Sequence, residues 1–291
     1  IKYTNSYKGP LKKIIKPIDK VKIVTPSLWR LIKWVSKYYM TPIGKVANSV
    51  LPKSLSSSYK PQSEKYVEVK KEIDLDELND LITVGITTEE IDNYCFDRIK
   101  KLGGSPAPLF YRGFPKSTCT SLNRVICHGI PSKDRRLEEG DILNVDVTTI
   151  IDGWHGDSSR MYKVGNISVK AQNLCNITHS CLIESLNVIK AGSPISLIGK
   201  KIEEIAHFNN FSVVRDFCGH GVGLNFHENP SILHYYDKDY DNVKFVDGMI
   251  FTVEPMINAG KYHSKILNDG WTAVTKDKTL SAQYELSLIH I

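Results

Sequence analysis

The sequence lacks any apolar run of about 18 residues or more, so no segment of it is a membrane-spanning helix. Its six cysteines, Cys95, Cys119, Cys127, Cys175, Cys181 and Cys218, never stand in CxxC spacing. That argues against a zinc knuckle or a disulfide framework and fits a reducing compartment. Acid is scarce at one end. Residues 1–60 hold 13 Lys/Arg and the single acid Asp19, about +12, whereas the whole 291-residue chain is only +6. A basic leader therefore precedes an acidic body. With 41% apolar residues, the body can bury a sizeable core.

The leader contains Pro10, Pro17, Pro26, Pro42 and Pro52 and ends in the Ser-rich "KSLSSSYK". It reads as a non-globular extension over 1–60. Within it, "SLWRLIKWVSKYY" has helical apolar spacing at Leu28, Leu31, Ile32 and Val35, with Arg30, Lys33 and Lys37 between, which predicts a basic amphipathic helix. A basic, Ser-containing, acid-poor leader also suits import into an organelle, a mitochondrion or plastid, with a cytoplasmic location as the alternative. Its charge would also suit transient contact with ribosomal RNA.

The body, 61–285, alternates helices with strands. A helical pattern covers roughly 64–83, and Thr87 with Glu90 forms a capping-box pattern for the next helix, which Gly103-Gly104 ends. Strands dominate to about 162; helices follow near 168–190 and 194–208, then strands again. "GITTEEI" and "GSPISLI" recur at an offset of 107 residues, which suggests two related halves. The class is α+β, with helices on one face of an antiparallel sheet.

One hairpin is chemically odd. In "DILNVDVTTIIDGWHGDSS" a strand reaches the tight-turn dipeptide Asp152-Gly153. With a two-residue loop, Thr148 pairs with Asp157 and Asp146 with Ser159. Asp146 and Asp157 then share a face as diagonal neighbours, roughly 7–8 Å apart. They could be solvated, paired with Arg or Lys, or sharing a cation; the hairpin alone leaves all three open. Other polar groups stand in similar settings. His220 lies between two glycines, with His227 seven residues on, in "FCGHGVGLNFHE". Glu254 ends the apolar strand "MIFTVEP" and is costly there without a partner. Glu285 follows "LSAQY". Taken together, four carboxylates and one imidazole suit two divalent ions such as Mn, Fe(II) or Co better than a tetrahedral structural zinc.

The stretches "GFPKSTCTSLNRVICHGIP", "EEGDILNVDVTTIIDGWHGDSS", "CGHGVGLNFHENP", "IFTVEPMINAG", "DGWTAVTKD" and "SAQYE" occur in the order and spacing of one family. The body resembles type I methionine aminopeptidases, of the bacterial and organellar kind, as "GHGVG" and the short gap from His227 to Glu254 indicate. That resemblance implies a pita-bread fold, with pseudo-symmetric halves and helices packed on a curved antiparallel sheet. It also implies a monomer that removes the N-terminal methionine of nascent proteins, using two divalent metal ions (Co, Mn, Fe(II) or Zn). Asp146, Asp157, His220, Glu254 and Glu285 would be the ligands, Asp157 and Glu285 bridging. Glu254 would also act as general base. His128 and His227 would contact substrate, and Tyr111, Phe114, Cys119, Phe226 and Trp271 would form the methionine pocket. Related readings are a proline-specific peptidase and a non-catalytic binding protein on the same fold.

Three residues depart from the family's pattern: Val84, Arg112 and Arg124 stand where Pro, His or Tyr, and Glu are usual. The chain also ends in "LSLIHI", which matches the translation of a sequencing-library adapter, where the family continues with "HT" and a strand. Residues 286–291 are therefore expected to be non-native, and Glu285 to lack the strand that would hold it.

Overall fold

Thr87 starts the first full helix of the body. Its side-chain oxygen accepts from the Glu90 amide, and the Glu90 carboxylate accepts the Thr87 backbone N–H in return, so two otherwise orphaned donors are satisfied. The structure, a computed structural model, describes residues 26–38 and 75–289. The chain divides into two units, residues 1–66 and 67–291. In the first, α1 spans Pro26–Tyr38. It buries Ile32 and exposes Trp29, Leu31 and Trp34, with the Lys33 ammonium 5.6 Å from the Trp29 ring. The other residues of the predicted leader lie outside the described ones.

Among the described residues, the second unit starts with a short turn of helix at Leu75–Glu77 and α2 (Leu78–Leu81). The earlier part of the helix predicted over 64–83 lies outside the described residues. Next come α3 (Thr88–Lys101), β1 (Ser105–Pro106), β2 (Cys119–Leu122), β3 (Val125–Cys127), β4 (Ile142–Ile151) and β5 (Trp154–Lys163). The helical pair α4 (Val169–Leu186) and α5 (Ser196–Phe208) follows. Among the described residues nine short strands follow: β6 (Ser212–Val213), β7 (Gly219–Gly221), β8 (Glu228–Ile232), β9 (Ile250–Val253), β10 (Met256–Asn258), β11 (Ser264–Ile266), β12 (Ala273–Thr275), β13 (Ser281–Gln283) and β14 (Glu285–Ile289), with a helical turn at Lys238–Asn242 between β8 and β9.

The large antiparallel sheet runs β1-β4-β5-β14-β9-β7-β8, with β2 also on β4. Strand alternation decides its two faces. Leu143, Val145 and Val147 of β4 pack with Ile91, Cys95 and Ile99 of α3. Asn144, Asp146 and Thr148 therefore point the other way. In the second half, Leu174 and Cys181 of α4 and Ile198 and Ile202 of α5 cover Phe251 and Val253 of β9. The recurrence seen in the sequence has a structural counterpart: isolated bridges tie Thr87 to Arg136 and Pro194 to Lys244, at the starts of α3 and α5.

The end of the chain differs from expectation. Glu285 does have a holding strand, because residues 285–289 form β14 between β5 and β9. The physical reason is that Leu286-Ser287-Leu288 supplies strand alternation and pairs with Val253, Thr252 and Phe251. Ser287 also bonds the Asp157 backbone twice, accepting its N–H at 2.8 Å and donating to its carbonyl at 2.6 Å. Ser287→Ala should therefore leave the Asp157 amide short of an acceptor and cost ~1–3 kcal/mol, read as a lower urea midpoint.

Candidate metal centre

The β4–β5 hairpin has the register that parity requires: Ile151 opposite Trp154, Thr148 opposite Asp157, Asp146 opposite Ser159. Its turn works because Asp152 (φ 50°) and Gly153 (φ 85°) both take left-handed conformations. Asp146 and Asp157 thus project from the helix-free face. Thr148 donates its hydroxyl to Asp157 at 2.6 Å and fixes that carboxylate. β14 sets Glu285 opposite Ser159, next to them.

The remaining two groups come from the second half. Gly219 and Gly221 flank His220 because a Cβ at either would collide with a carbonyl, of Thr252 or Asn229. The His220 amide donates to the Thr252 hydroxyl at 3.0 Å, and that hydroxyl donates to Glu254 at 2.8 Å. Glu254 is held from behind as well: its backbone N–H donates to Nε2 of the buried His234 at 3.1 Å.

These groups converge. Nε2 of His220 lies 3.8 Å from Asp157 and 3.7 Å from Glu254. Asp157, His220 and Glu285 each offer a ligand atom within 4.8 Å of the others. Nδ1 of His220 lies 2.9 Å from the Gly221 carbonyl, which places the ring hydrogen there and leaves an Nε2 lone pair facing the acids. Asp157 and Glu285 are buried. Burial first, and repulsion from Asp157 second, push the Asp146, Glu254 and Glu285 carboxyls well above the usual carboxylate range. Burial likewise lifts Asp157 to about 7, against the pull of the Thr148 hydroxyl. Burial also holds His220 below its ordinary value. A protein would not hold four acids in this state for packing alone. Divalent cations would relieve the repulsion, and the oxygen-rich donor set with one imidazole fits them.

A cavity of about 600 Å³ opens onto these groups. Tyr111, Phe114, Cys119, His128, Phe226, His227 and Trp271 all line it. Phe114 and Trp271 meet edge to face at 5.2 Å, and Tyr111 and Phe226 are 4.9 Å apart. The Tyr111 hydroxyl is 3.0 Å from Nδ1 of His227. Burial, with the positive potential of His220 and Arg112 behind it, pushes His227 down to about 4, and burial lowers His128 too, so both rings are neutral near pH 7. The lining also includes Cys127, Phe217 and Met256, which sequence reasoning had not singled out. His234 and Ser287 were missed because each acts through a hydrogen bond to a residue distant in the chain.

Four convergent acids around an imidazole, beside a cavity lined in part by aromatic side chains, define a metal-dependent hydrolase. Residues 69–285 match Metallopeptidase family M24. A methionine aminopeptidase of Buchnera aphidicola is 48% identical over 215 residues, which is 74% of this chain and 82% of that one. The crystal structure of methionine aminopeptidase from Rickettsia prowazekii superposes with a TM-score of 0.72 at 45% identity, covering 74% of this chain and 87% of that one. The chain belongs to family M24 and, within it, to the type I, bacterial-like methionine aminopeptidases, with their pita-bread fold. An X-Pro aminopeptidase from Thermotoga maritima shares that fold at 20% identity and a TM-score of 0.57, covering 74% of this chain and 53% of that one. Separately, residues 1–52 match a 3′DNA-binding domain.

Proposed function

We infer that this chain removes the N-terminal methionine of nascent proteins, using two divalent ions held by Asp146, Asp157, His220, Glu254 and Glu285. The observation that carries the reading is the set of mutually repelling carboxylates around His220, opening into a cavity that Phe114, Cys119, Phe226 and Trp271 also line. Divalent metal supplies a low-pKa water and a polarising charge at the carbonyl. The residues do the rest. Phe114, Cys119, Phe226 and Trp271 enclose an unbranched apolar side chain and exclude water from it. Neutral His227, its ring oriented by the Tyr111 hydroxyl, donates toward charge developing on the scissile carbonyl oxygen. His128, edge-on to Phe217 at 5.5 Å, faces the scissile amide nitrogen. Glu254, kept basic once cations are present and oriented by Thr252, takes the water proton and passes it toward the leaving amine.

The test is cleavage of Met-Ala-Ser against Ala-Pro by the Mn- or Co-loaded protein. Free methionine should appear, with the Met peptide preferred by at least about 100-fold, as expected for a side-chain pocket empty in the other substrate. Equal or reversed cleavage would favour a proline-specific peptidase. For the leader, organelle import is one account of its charge; likeness to a DNA-binding module over 1–52 supports nucleic acid as the alternative partner.

A further inference from the structure

The turn that delivers Tyr111 to the cavity also delivers Arg112, at a visible conformational cost. Phe110 (φ 64°), Arg112 (φ 48°) and Gly113 (φ 91°) are all left-handed. Only the glycine takes that conformation freely; a bulky non-glycine residue held there is strained, and such strain is found where a site uses it. Arg112 is exposed and lines the cavity mouth. Its guanidinium lies 5.3 Å over the Tyr111 ring, and Tyr111 stacks on His227 at 5.3 Å. Arginine, tyrosine and histidine therefore form a stack leading from solvent towards the scissile bond.

Among the described residues no carboxylate pairs with Arg112. The two acids on the same rim already have neutral donors: Asp216 accepts from the Ser264 hydroxyl at 2.6 Å, and Glu228 accepts from the Asn225 amide at 2.7 Å and its side chain at 3.2 Å. Arg112 is thus a free planar cation with a fixed position at the exit of the site. An extended peptide advances roughly 3.3–3.6 Å per residue, so a chain leaving His227 along this stack brings its next side chains to the guanidinium.

We propose that Arg112 is a specificity-determining residue that favours substrates with an acidic side chain at the third residue. This rests on the methionine aminopeptidase reading above. The guanidinium would accept one carboxylate in a bidentate pair across the cavity mouth. Because the pair is exposed, the preference is modest, about two- to five-fold.

The test compares kcat/KM for amidated Met-Ala-Glu-Gly, Met-Ala-Gln-Gly and Met-Ala-Lys-Gly with the metal-loaded protein. The Glu/Gln ratio should exceed one at low salt and shrink as KCl is raised. It should fall to about one in Arg112→Gln, survive in part in Arg112→Lys and invert in Arg112→Glu. Arg112→Gly, which suits the left-handed backbone, keeps the turn and should also abolish the preference. An unchanged Glu/Gln ratio in Arg112→Gln and Arg112→Gly overturns the proposal. Failure of the unsubstituted protein to cleave any Met peptide overturns the underlying reading instead.

Discussion

Asp157→Asn is expected to lower turnover of Met-Ala-Ser by more than about 100-fold and to remove most divalent-metal binding, with the fold intact. Loss of a ligand's outer partner alone costs about 10–100-fold, and Asp157 is at the centre of the set itself. It lies 3.8 Å from His220, within ligand distance of Glu285, and its charge raises the pKa of Asp146, Glu254 and Glu285. Asparagine preserves the shape and can still face the Thr148 hydroxyl. It cannot offer two anionic oxygens. Circular dichroism should match the parent, while calorimetric titration with Mn²⁺ should lose most of its heat. Parental metal binding and turnover in this variant would refute a shared cation site.

The second large effect concerns stability. The acids' pKa values are raised in the folded, metal-free protein, to about 7 for Asp157 and well above the usual carboxylate range for its neighbours. A group with a raised folded-state pKa binds more protons folded than unfolded. Stability from these groups is therefore full below the unfolded value near 4 and is lost as pH rises through 7. One such proton across about two pH units is worth ~3 kcal/mol, or roughly 10 °C in a unit of this size. Chelated protein should melt lower at pH 8 than at pH 5.5, and Mn²⁺ should raise the midpoint far more at pH 8. Asp157→Asn, with one charge fewer, should flatten the chelated profile. A chelated protein equally stable at both pH values would show that the acids are neutralised by something other than metal.

Half of the acid pair's geometry was legible in the β4–β5 hairpin. Side-chain parity through Asp152-Gly153 needs only the strand period and the turn type, both local, so Asp146 and Asp157 could be placed on one face from the sequence. The capping box at Thr87 was legible for the same reason. The match of motifs in order extended this to His220, Glu254 and Glu285. The last strand was not legible. Whether Leu286-Ser287-Leu288 forms β14 depends on β5 and β9, each far away in the chain, presenting free edges on either side.

Sequence by itself determined the class and the order of helices and strands through local periodicity, and named the five candidate ligands through its resemblance to a family. Only the tertiary structure decided how the acids are oriented and charged. Thr148 and Thr252 hold Asp157 and Glu254 through bonds within one hairpin and one short segment, whereas His234 and Ser287 act through bonds that exist only when residues distant in the chain meet. The depth of their burial, which sets their protonation, likewise comes from the packed whole. Arg112 is the same case at the rim: its sequence position says only that a cation is present, and the left-handed turn stacked on Tyr111 decides where that cation points.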